Sequence, residues 1–136
     1  MIKNIYMLWF QGWDEAPPVC KLCLESWVHY NPDWKVHKLS LTNILNYVPK
    51  EKFDKIMKVE SWTHRSDLVR IYLLANYGGL WVDATNFCNK PLKSWLKPTL
   101  FVNDCWFVMD ENQNILTINF MYADKKIGRA SCRERV

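Results

Sequence analysis

The first third of the chain contains two short apolar stretches, and between them lies a segment with apolar residues at helical spacing. Residues 3–10 are rich in isoleucine, tyrosine, tryptophan and phenylalanine, which predicts a buried strand. In residues 18–30 the apolar positions recur every three or four residues, which predicts a helix that ends before Pro32. Residues 34–39 predict a second short strand, so the predicted order is strand, helix, strand.

The middle of the chain predicts three helices of unequal length. Residues 41–48 and 50–59 are expected to form two short helices that Pro49 separates. Residues 63–77 show the strongest helical pattern. Their apolar side chains cover most of the helix circumference, so we expect this helix to be deeply buried.

Two glycines join the third helix to the next strand. Gly78 stands where a left-handed helix cap is expected, and Gly79 allows a tight reversal into residues 80–82. This strand is apolar at consecutive positions, as is typical when both faces are covered. Alternating strands and helices predict an α/β fold with a mainly parallel sheet. Because ligands bind at the carboxyl ends of such strands, Asp83 is a candidate site residue.

Composition and charge narrow the class of protein. The 136 residues suffice for one domain, and 49% of them are hydrophobic. The net charge of +4 is mild and lies in no basic run interleaved with aromatics, so no nucleic-acid partner is expected. No segment reads as a membrane span, and the N-terminus lacks the cleavage site of a signal peptide. We therefore expect a cytoplasmic location.

The five cysteines include one pair at C-x-x-C spacing, Cys20 and Cys23. Both lie on the same side of the predicted helix, and no second pair completes a zinc site. An odd number of cysteines without a signal peptide favours a reducing compartment. Ordinary helix packing is favoured for this pair over redox or metal chemistry.

The last ten residues, IGRASCRERV, differ in character from the rest of the chain. Residues 127–136 contain three arginines, whereas the preceding residues contain only Arg65 and Arg70. The peptide resembles the translation of a sequencing adapter. We therefore expect residues 1–126 to be the N-terminal part of one domain that is truncated near Lys126. A natural basic tail is the alternative.

Polar residues cluster in the first turns of the third helix. Asp67 and Arg70 are three residues apart and share a helix face, with Ser66 beside them. One interpretation is a local ion pair, worth about 0.3–0.5 kcal/mol if it is exposed. The other is that this end of the helix opens on a pocket. There Asp67 would accept hydrogen bonds from sugar hydroxyls, and Arg70 would orient it or bind a phosphate.

Asp83 and Thr85 end the following strand. The pattern fits a turn in which the Asp83 carboxylate bonds to nearby backbone. It also fits a site where a carboxylate holds a divalent cation beside a diphosphate. An aspartate nucleophile of the phosphatase type is disfavoured, because the second aspartate two positions later is missing.

Several motifs together resemble a known family. They are WFQGW at residues 9–13, CLESWVHYNPDW at 23–34, Ser66 and Asp67 with Arg70, YGG at 77–79 and LWVDATNFCNKPL at 80–92. In this order and spacing they resemble the capsular polysaccharide synthesis proteins, among the glycosyltransferases with a DXD sugar-binding region. The resemblance runs from residue 5 to residue 95.

The resemblance implies a GT-A-like (Rossmann-like) fold, a nucleotide-sugar donor and a divalent cation, Mn²⁺ or Mg²⁺. The donor-binding residues that it implies are Gln11, Gly12, Trp13, Ser66, Asp67, Arg70, Gly79 and Asp83. Asp83 and Thr85 would hold the cation. Thr85 stands where the DXD motif has its second acid, and a hydroxyl is a poorer ligand for a cation than a carboxylate.

The resemblance also implies an acceptor. We expect transfer of a hexose-type sugar to a growing glycan or a lipid-linked glycan in bacterial surface-polysaccharide synthesis. Mild basicity and the eight tryptophans suit a peripheral position at the inner face of the membrane. Two alternatives stay open, a non-catalytic glycan- or nucleotide-binding module and an inactive fragment. No residue of the sequence is identified as a general base.

Overall fold

The computed structural model describes residues 1–110 and 115–124. The proposed tail and the junction near Lys126 lie outside these residues. The strands are β1 Asn4–Leu8, β2 Lys35–Leu39, β3 Gly79–Val82, β4 Cys105–Asp110 and β5 Ile115–Ala123. The helices are α1 Pro18–Tyr30, α2 Lys50–Met57 and α3 Trp62–Asn76.

The five strands form one mixed sheet in the order β2-β1-β3-β5-β4. The prediction of a mainly parallel sheet holds only for its first half, where β1 pairs in parallel with β2 and β3. β5 pairs antiparallel with both β3 and β4. Parallel neighbours need a long crossover, usually a helix. Between β3 and β4 lie two short 3-10 turns, Leu92–Ser94 and Pro98–Leu100. The chain then reverses between β4 and β5, because the four residues between Asp110 and Ile115 are too few for a crossover.

The first two strands and the first helix match their predictions closely, and α1 begins and ends at the predicted residues. The predicted helix at residues 41–48 is wrong, because only the 3-10 turn Ile44–Asn46 forms there. Asn43 accounts for the difference. Its Oδ1 accepts the Ser40 backbone N–H at 2.9 Å and its Nδ2 donates to the Lys38 carbonyl at 2.8 Å. Such side-chain bonds compete with helical ones.

The helix α3 is buried along one side and exposed along another, so the prediction that it is deeply buried is only partly correct. Val69, Leu73 and Leu74 are buried, whereas Leu68 is 41% exposed. The helix begins at Trp62, one residue before the prediction, with Ser61 as its N-cap. The outward side chains lie in solvent because α3 covers one side of the sheet, and the short helix α2 packs against only part of it.

Both glycines after α3 adopt the predicted backbone conformation. Gly78 has φ +72° and Gly79 has φ +114°, which favour glycine because a Cβ atom meets the backbone there. Gly79 is also packed against β1. A Cβ atom at this position would lie 2.7 Å from the backbone oxygen of Asn4. The close approach of β3 to β1 therefore requires glycine.

The alternation of side chains along β1 and β3 divides the core into two layers. Ile5, Met7, Leu80 and Val82 pack on the side covered by α1. Tyr6, Leu8 and Trp81 pack on the opposite side, with Val69, Leu73 and Leu74 of α3. All four residues of β3 are buried, which confirms the prediction that this strand is covered on both faces.

Cys20 and Cys23 are buried free thiols on the inner side of α1. Burial raises the pKa of both thiols, which keeps them protonated and poorly nucleophilic. The packing interpretation of the C-x-x-C pair is confirmed. Across the part of the chain that the structure describes, no helix has the length and hydropathy needed to cross a membrane.

His37 on β2 is expected to make stability fall in acid. Its Nδ1 lies 2.8 Å from the Tyr47 hydroxyl and its Nε2 lies 3.1 Å from Asn4 Oδ1. Burial, reinforced by Lys35, lowers the pKa of His37, so the folded state binds a proton less readily than the unfolded state does. The contribution of neutral His37 to the free energy of unfolding is therefore complete above the ordinary histidine pKa, and it is lost as the pH falls below that value.

Urea unfolding between pH 8 and pH 5 measures this contribution. The free energy of unfolding should fall more in the wild type than in His37→Gln, because the variant has no imidazole to protonate. His29→Gln, at an exposed position, is the control and should follow the wild type. Parallel pH profiles for His37→Gln and the wild type would contradict the assignment.

Candidate functional site

A cleft of about 830 Å³ lies at the carboxyl ends of β1 and β3. These two strands are parallel neighbours, so the residues that follow them meet at one edge of the sheet. The first turns of α3 supply the other wall. The lining residues are Leu8, Trp9, Phe10, Gln11, Trp62, Thr63, Ser66, Asp67, Arg70, Trp81, Asp83, Ala84 and Thr85.

Arg70 joins two acids at the base of this cleft. Its Nη1 donates to Asp67 Oδ1 at 2.9 Å, and its Nη2 donates to Asp83 Oδ1 at 3.0 Å. The Arg70 side chain is 4% exposed, whereas those of Asp67 and Asp83 are 30% and 36% exposed. The Arg70 guanidinium is therefore buried, and the two carboxylates that it binds reach solvent. The local ion pair on α3 exists, but Arg70 also binds Asp83, the residue directly after β3.

Trp81 completes the arrangement around Asp83. Its indole Nε1 donates to Asp83 Oδ1 at 2.7 Å, and the Arg70 guanidinium carbon lies 5.1 Å from the centre of the indole ring. Arg70 Nε has no hydrogen-bond partner among the described residues. The guanidinium is thus held by two acids and an aromatic face, and Asp83 Oδ1 receives two donors.

The turn interpretation of Asp83 is correct for its backbone only. The Asp83 carbonyl accepts the Asn86 N–H at 3.0 Å, which closes a turn directly after β3. The carboxylate instead bonds to Arg70 and Trp81. All its hydrogen bonds within the described chain fall on Oδ1, which leaves Oδ2 for a ligand.

The loop that follows Asp83 is held by two buried polar residues, Ser26 of α1 and Asn31, which caps the C-terminal end of α1. Ser26 Oγ accepts the Cys88 backbone N–H at 2.8 Å. Asn31 Oδ1 accepts the Leu92 N–H at 2.7 Å, while its Nδ2 donates to the Trp27 carbonyl at 3.1 Å. These contacts fix the course of residues 86–92, so the chain that carries Asp83 and Thr85 is preorganised.

Replacing Asn31 with alanine is expected to destabilise the fold. The Leu92 N–H would lose its partner in a buried position, which costs about 1–3 kcal/mol. Urea denaturation of Asn31→Ala measures the loss. Asn76→Ala is the matched control, because the Asn76 amide also donates to a carbonyl four residues earlier, Tyr72, at 2.8 Å but in an exposed position. Equal losses in the two variants would contradict the role given to Asn31.

The cleft brings together most of the residues that the sequence pointed to. Gln11, Ser66, Asp67, Arg70, Asp83 and Thr85 all line it. Gly12, Trp13 and Gly79 do not line it.

Each of the three residues outside the cleft has a structural place. Gly12 precedes the 3-10 turn Trp13–Glu15 and has φ +106°. The Trp13 indole donates to the Leu39 carbonyl at 3.2 Å. Gly79 begins β3, at the opposite end of this strand from Asp83.

The aromatic walls of the cleft were missed by sequence reasoning. Trp62 is 42% exposed, and its ring packs against Phe10 at 5.0 Å between centroids. The guanidinium carbon of Arg65 lies 4.4 Å from the centre of the Trp62 ring. Trp81 could have been found from the strand alternation, because it lies two residues before Asp83 and therefore on the same side of the chain.

The residues at this edge fit a divalent cation only together with ligands from elsewhere. Among the residues whose side chains the structure describes, no group of three or more histidine, cysteine, aspartate or glutamate side chains is placed to hold a metal. Asp83 and Thr85 both line the cleft, and Asp83 Oδ2 and the Thr85 hydroxyl are oxygens that could contribute to a metal site. Mg²⁺ commonly accepts one or two carboxylates, with substrate phosphates and water filling the other positions. The donor set fits such a shared site.

The fold is GT-A-like. It is similar to the PaToxG glycosyltransferase, with a TM-score of 0.65 and 16% identity, over 91% of this chain and 54% of that one. At this identity the likeness shows the fold alone. The predicted GT-A-like fold is confirmed.

Residues 1–128 match the capsular polysaccharide synthesis protein family, and the chain belongs to this family. The resemblance inferred from the motifs is confirmed.

The chain is similar to curated fungal proteins. It is 35% identical over 97 residues to the O-glycosyltransferase braB of Annulohypoxylon truncatum, covering 62% of this chain and 23% of that protein. It is 29% identical over 93 residues to the glycosyltransferase afumC of Aspergillus fumigatus, covering 60% and 24%. The chain spans about a quarter of the length of these relatives.

Proposed function

We propose that the cleft around Arg70 binds a nucleotide-sugar donor and that the protein is a glycosyltransferase. The observation that carries the proposal is the bridge from the buried Arg70 to two solvent-reaching acids, Asp67 and Asp83. This bridge lies at the carboxyl ends of parallel strands, where α/β proteins bind nucleotides. Family membership and the names of the relatives support the same class.

The two acids would do different work on the donor. Asp67 is close to Ser66, and both line the cleft, where a carboxylate and a hydroxyl can bind sugar hydroxyls. Asp83 lies across Arg70 from them, at the start of the loop to Thr85. The exposed Trp62 ring offers a flat apolar surface for a base or a sugar. Arg70 fixes the separation of the two acids, so the donor would meet a rigid pair.

A divalent cation would neutralise the charge of the donor diphosphate when bound, and Asp83 with Thr85 would hold it. In the transfer, an acceptor hydroxyl oxygen forms a bond to the anomeric carbon of the sugar. The bond from that carbon to the diphosphate oxygen breaks, and its electron pair stays on the diphosphate. The hydroxyl proton passes to the released diphosphate or to water. Mn²⁺ and Mg²⁺ both suit such oxygen ligands.

The wider role that we propose is surface-polysaccharide synthesis, with a glycan or a lipid-linked glycan as acceptor. The family match supports this role. A cytoplasmic location at the inner face of the membrane would bring the protein to such acceptors. The fungal relative braB is named an O-glycosyltransferase, which supports transfer to a hydroxyl oxygen.

Release of nucleoside diphosphate tests the proposal. UDP-glucose, UDP-galactose and GDP-mannose are each incubated with the protein and Mn²⁺, with and without methyl glycosides as acceptors. We expect at least one donor to be cleaved. Saturable binding of UDP or GDP without cleavage of any donor would instead support the alternative, a non-catalytic nucleotide-binding module. If the protein neither binds a nucleotide nor cleaves any donor, the proposal is contradicted.

A further inference from the structure

A second cleft, of about 450 Å³, adjoins the Arg70 cleft. Thr85 lines both, so the loop after β3 separates them. The second cleft is lined by Trp27 of α1, Trp106 of β4, Phe120 of β5 and Trp95, together with the loop at residues 85–90. Any molecule bound there would lie directly beside the residues proposed to hold the donor diphosphate.

The walls of the second cleft are aromatic. Trp95, Trp106 and Phe120 contact one another, with ring centroids 5.2–5.8 Å apart. Trp27 packs against Phe120 at 5.6 Å. Because each ring is held by the others, the wall is a preformed surface and needs little ordering when a ligand binds.

The rim of the second cleft combines one exposed aromatic ring with polar side chains. Phe87 is 62% exposed, the largest exposure among the exposed large hydrophobic residues of the described chain. Asn89 and Lys90 lie beside it and also line the cleft. The backbone here is fixed, because Trp27 Nε1 donates to the Asn86 carbonyl at 2.8 Å and Cys88 N donates to Ser26. The Phe87 ring is therefore held at the rim of the cleft beside polar groups, where it can pack against a bound molecule.

We propose that this second cleft binds the sugar ring of the acceptor. The inference rests on the proposed function, because it takes the Arg70 cleft as the donor site. A sugar ring has an apolar face of C–H groups and a rim of hydroxyls. The aromatic wall matches the face, and Thr85, Asn89 and Lys90 match the hydroxyls. The position across Thr85 brings an acceptor hydroxyl close to the anomeric carbon of a donor, as transfer requires.

Saturation-transfer NMR with methyl glucoside, methyl galactoside and methyl mannoside tests the proposal without any donor. At least one glycoside should receive saturation at its ring C–H protons. Phe87→Ala should raise the dissociation constant about fivefold, since it removes an aromatic contact. Leu22→Ala is the control, because Leu22 is 58% exposed on α1, has a similar exposure and lines neither cleft. It should bind as the wild type does.

Three results would overturn the acceptor site. They are no binding of any methyl glycoside, equal dissociation constants for Phe87→Ala and Leu22→Ala, and binding of octyl glucoside alone, which would assign the cleft to an alkyl chain. Equal binding of methyl and octyl glycosides supports a ring site that serves free and lipid-linked acceptors alike. Failure of the proposed function is scored separately, by the absence of nucleoside diphosphate release from the wild type.

Discussion

Replacing Asp83 with asparagine should lower kcat/KM for donor cleavage about a hundredfold or more. Asparagine keeps the shape and an oxygen that can accept from Trp81 Nε1 and Arg70 Nη2. The negative charge is lost, so the site attracts a cation less and the buried Arg70 charge is half uncompensated. A group that acts on developing charge in a closed site has effects of this size.

Asp54→Asn is the matched control for the Asp83 variant. Asp54 is an exposed carboxylate on α2, paired with Lys50 at 3.3 Å and remote from the lining of both clefts. Its kcat/KM should stay within about twofold of the wild type. Thermal unfolding of both variants, followed by circular dichroism, checks that they are folded. If kcat/KM of the folded Asp83→Asn variant fell by less than threefold, the role given to Asp83 in donor cleavage would be contradicted.

Replacing Gly79 with alanine should lower the free energy of unfolding by about 3 kcal/mol or more. Two costs combine. The backbone has φ +114°, a conformation that residues with a side chain rarely adopt. The new Cβ atom would also lie 2.7 Å from the Asn4 backbone oxygen, and β1 and β3 would have to separate.

Gly12→Ala separates these two costs. Gly12 has a similar φ of +106°, but a Cβ atom there would have no neighbour within 4 Å. It should therefore carry the backbone strain alone, about 1–2 kcal/mol. Urea unfolding of both variants gives the difference. If Gly79→Ala were no worse than Gly12→Ala, the close packing of β3 on β1 would not be what requires glycine.

The elements that the sequence predicted well are those with strong local signals. The helix α1 has prolines before it and after it and a regular apolar period, and its bounds came out as predicted. Gly78 likewise defines the C-terminal end of α3 by local chemistry, whereas the Ser61 cap at its start was not predicted. The antiparallel half of the sheet could not be foreseen, because strand direction depends on long-range pairing rather than on residue pattern.

The candidate site also has features that the sequence could predict and features that it could not. Asp67 and Arg70 could be paired from their spacing on one helix, and Asp83 from its place at a strand end. That Arg70 holds both acids at once is a tertiary fact, since Asp67 and Asp83 are on different elements. Asn31 was read as part of a motif. Its bond to the Leu92 N–H, which holds the loop, follows only from the packing of α1 on residues 86–92.

The most direct test of the central claim is a titration of the wild-type chain with UDP and GDP in the presence of Mn²⁺, followed by intrinsic tryptophan fluorescence. Trp9, Trp62 and Trp81 line the Arg70 cleft, so a bound nucleotide should change their emission. The account predicts a saturable change for at least one nucleotide, half complete between about 1 μM and 1 mM, and none for inorganic phosphate. No saturable change with either nucleotide would contradict the assignment of this cleft to a nucleotide-sugar donor.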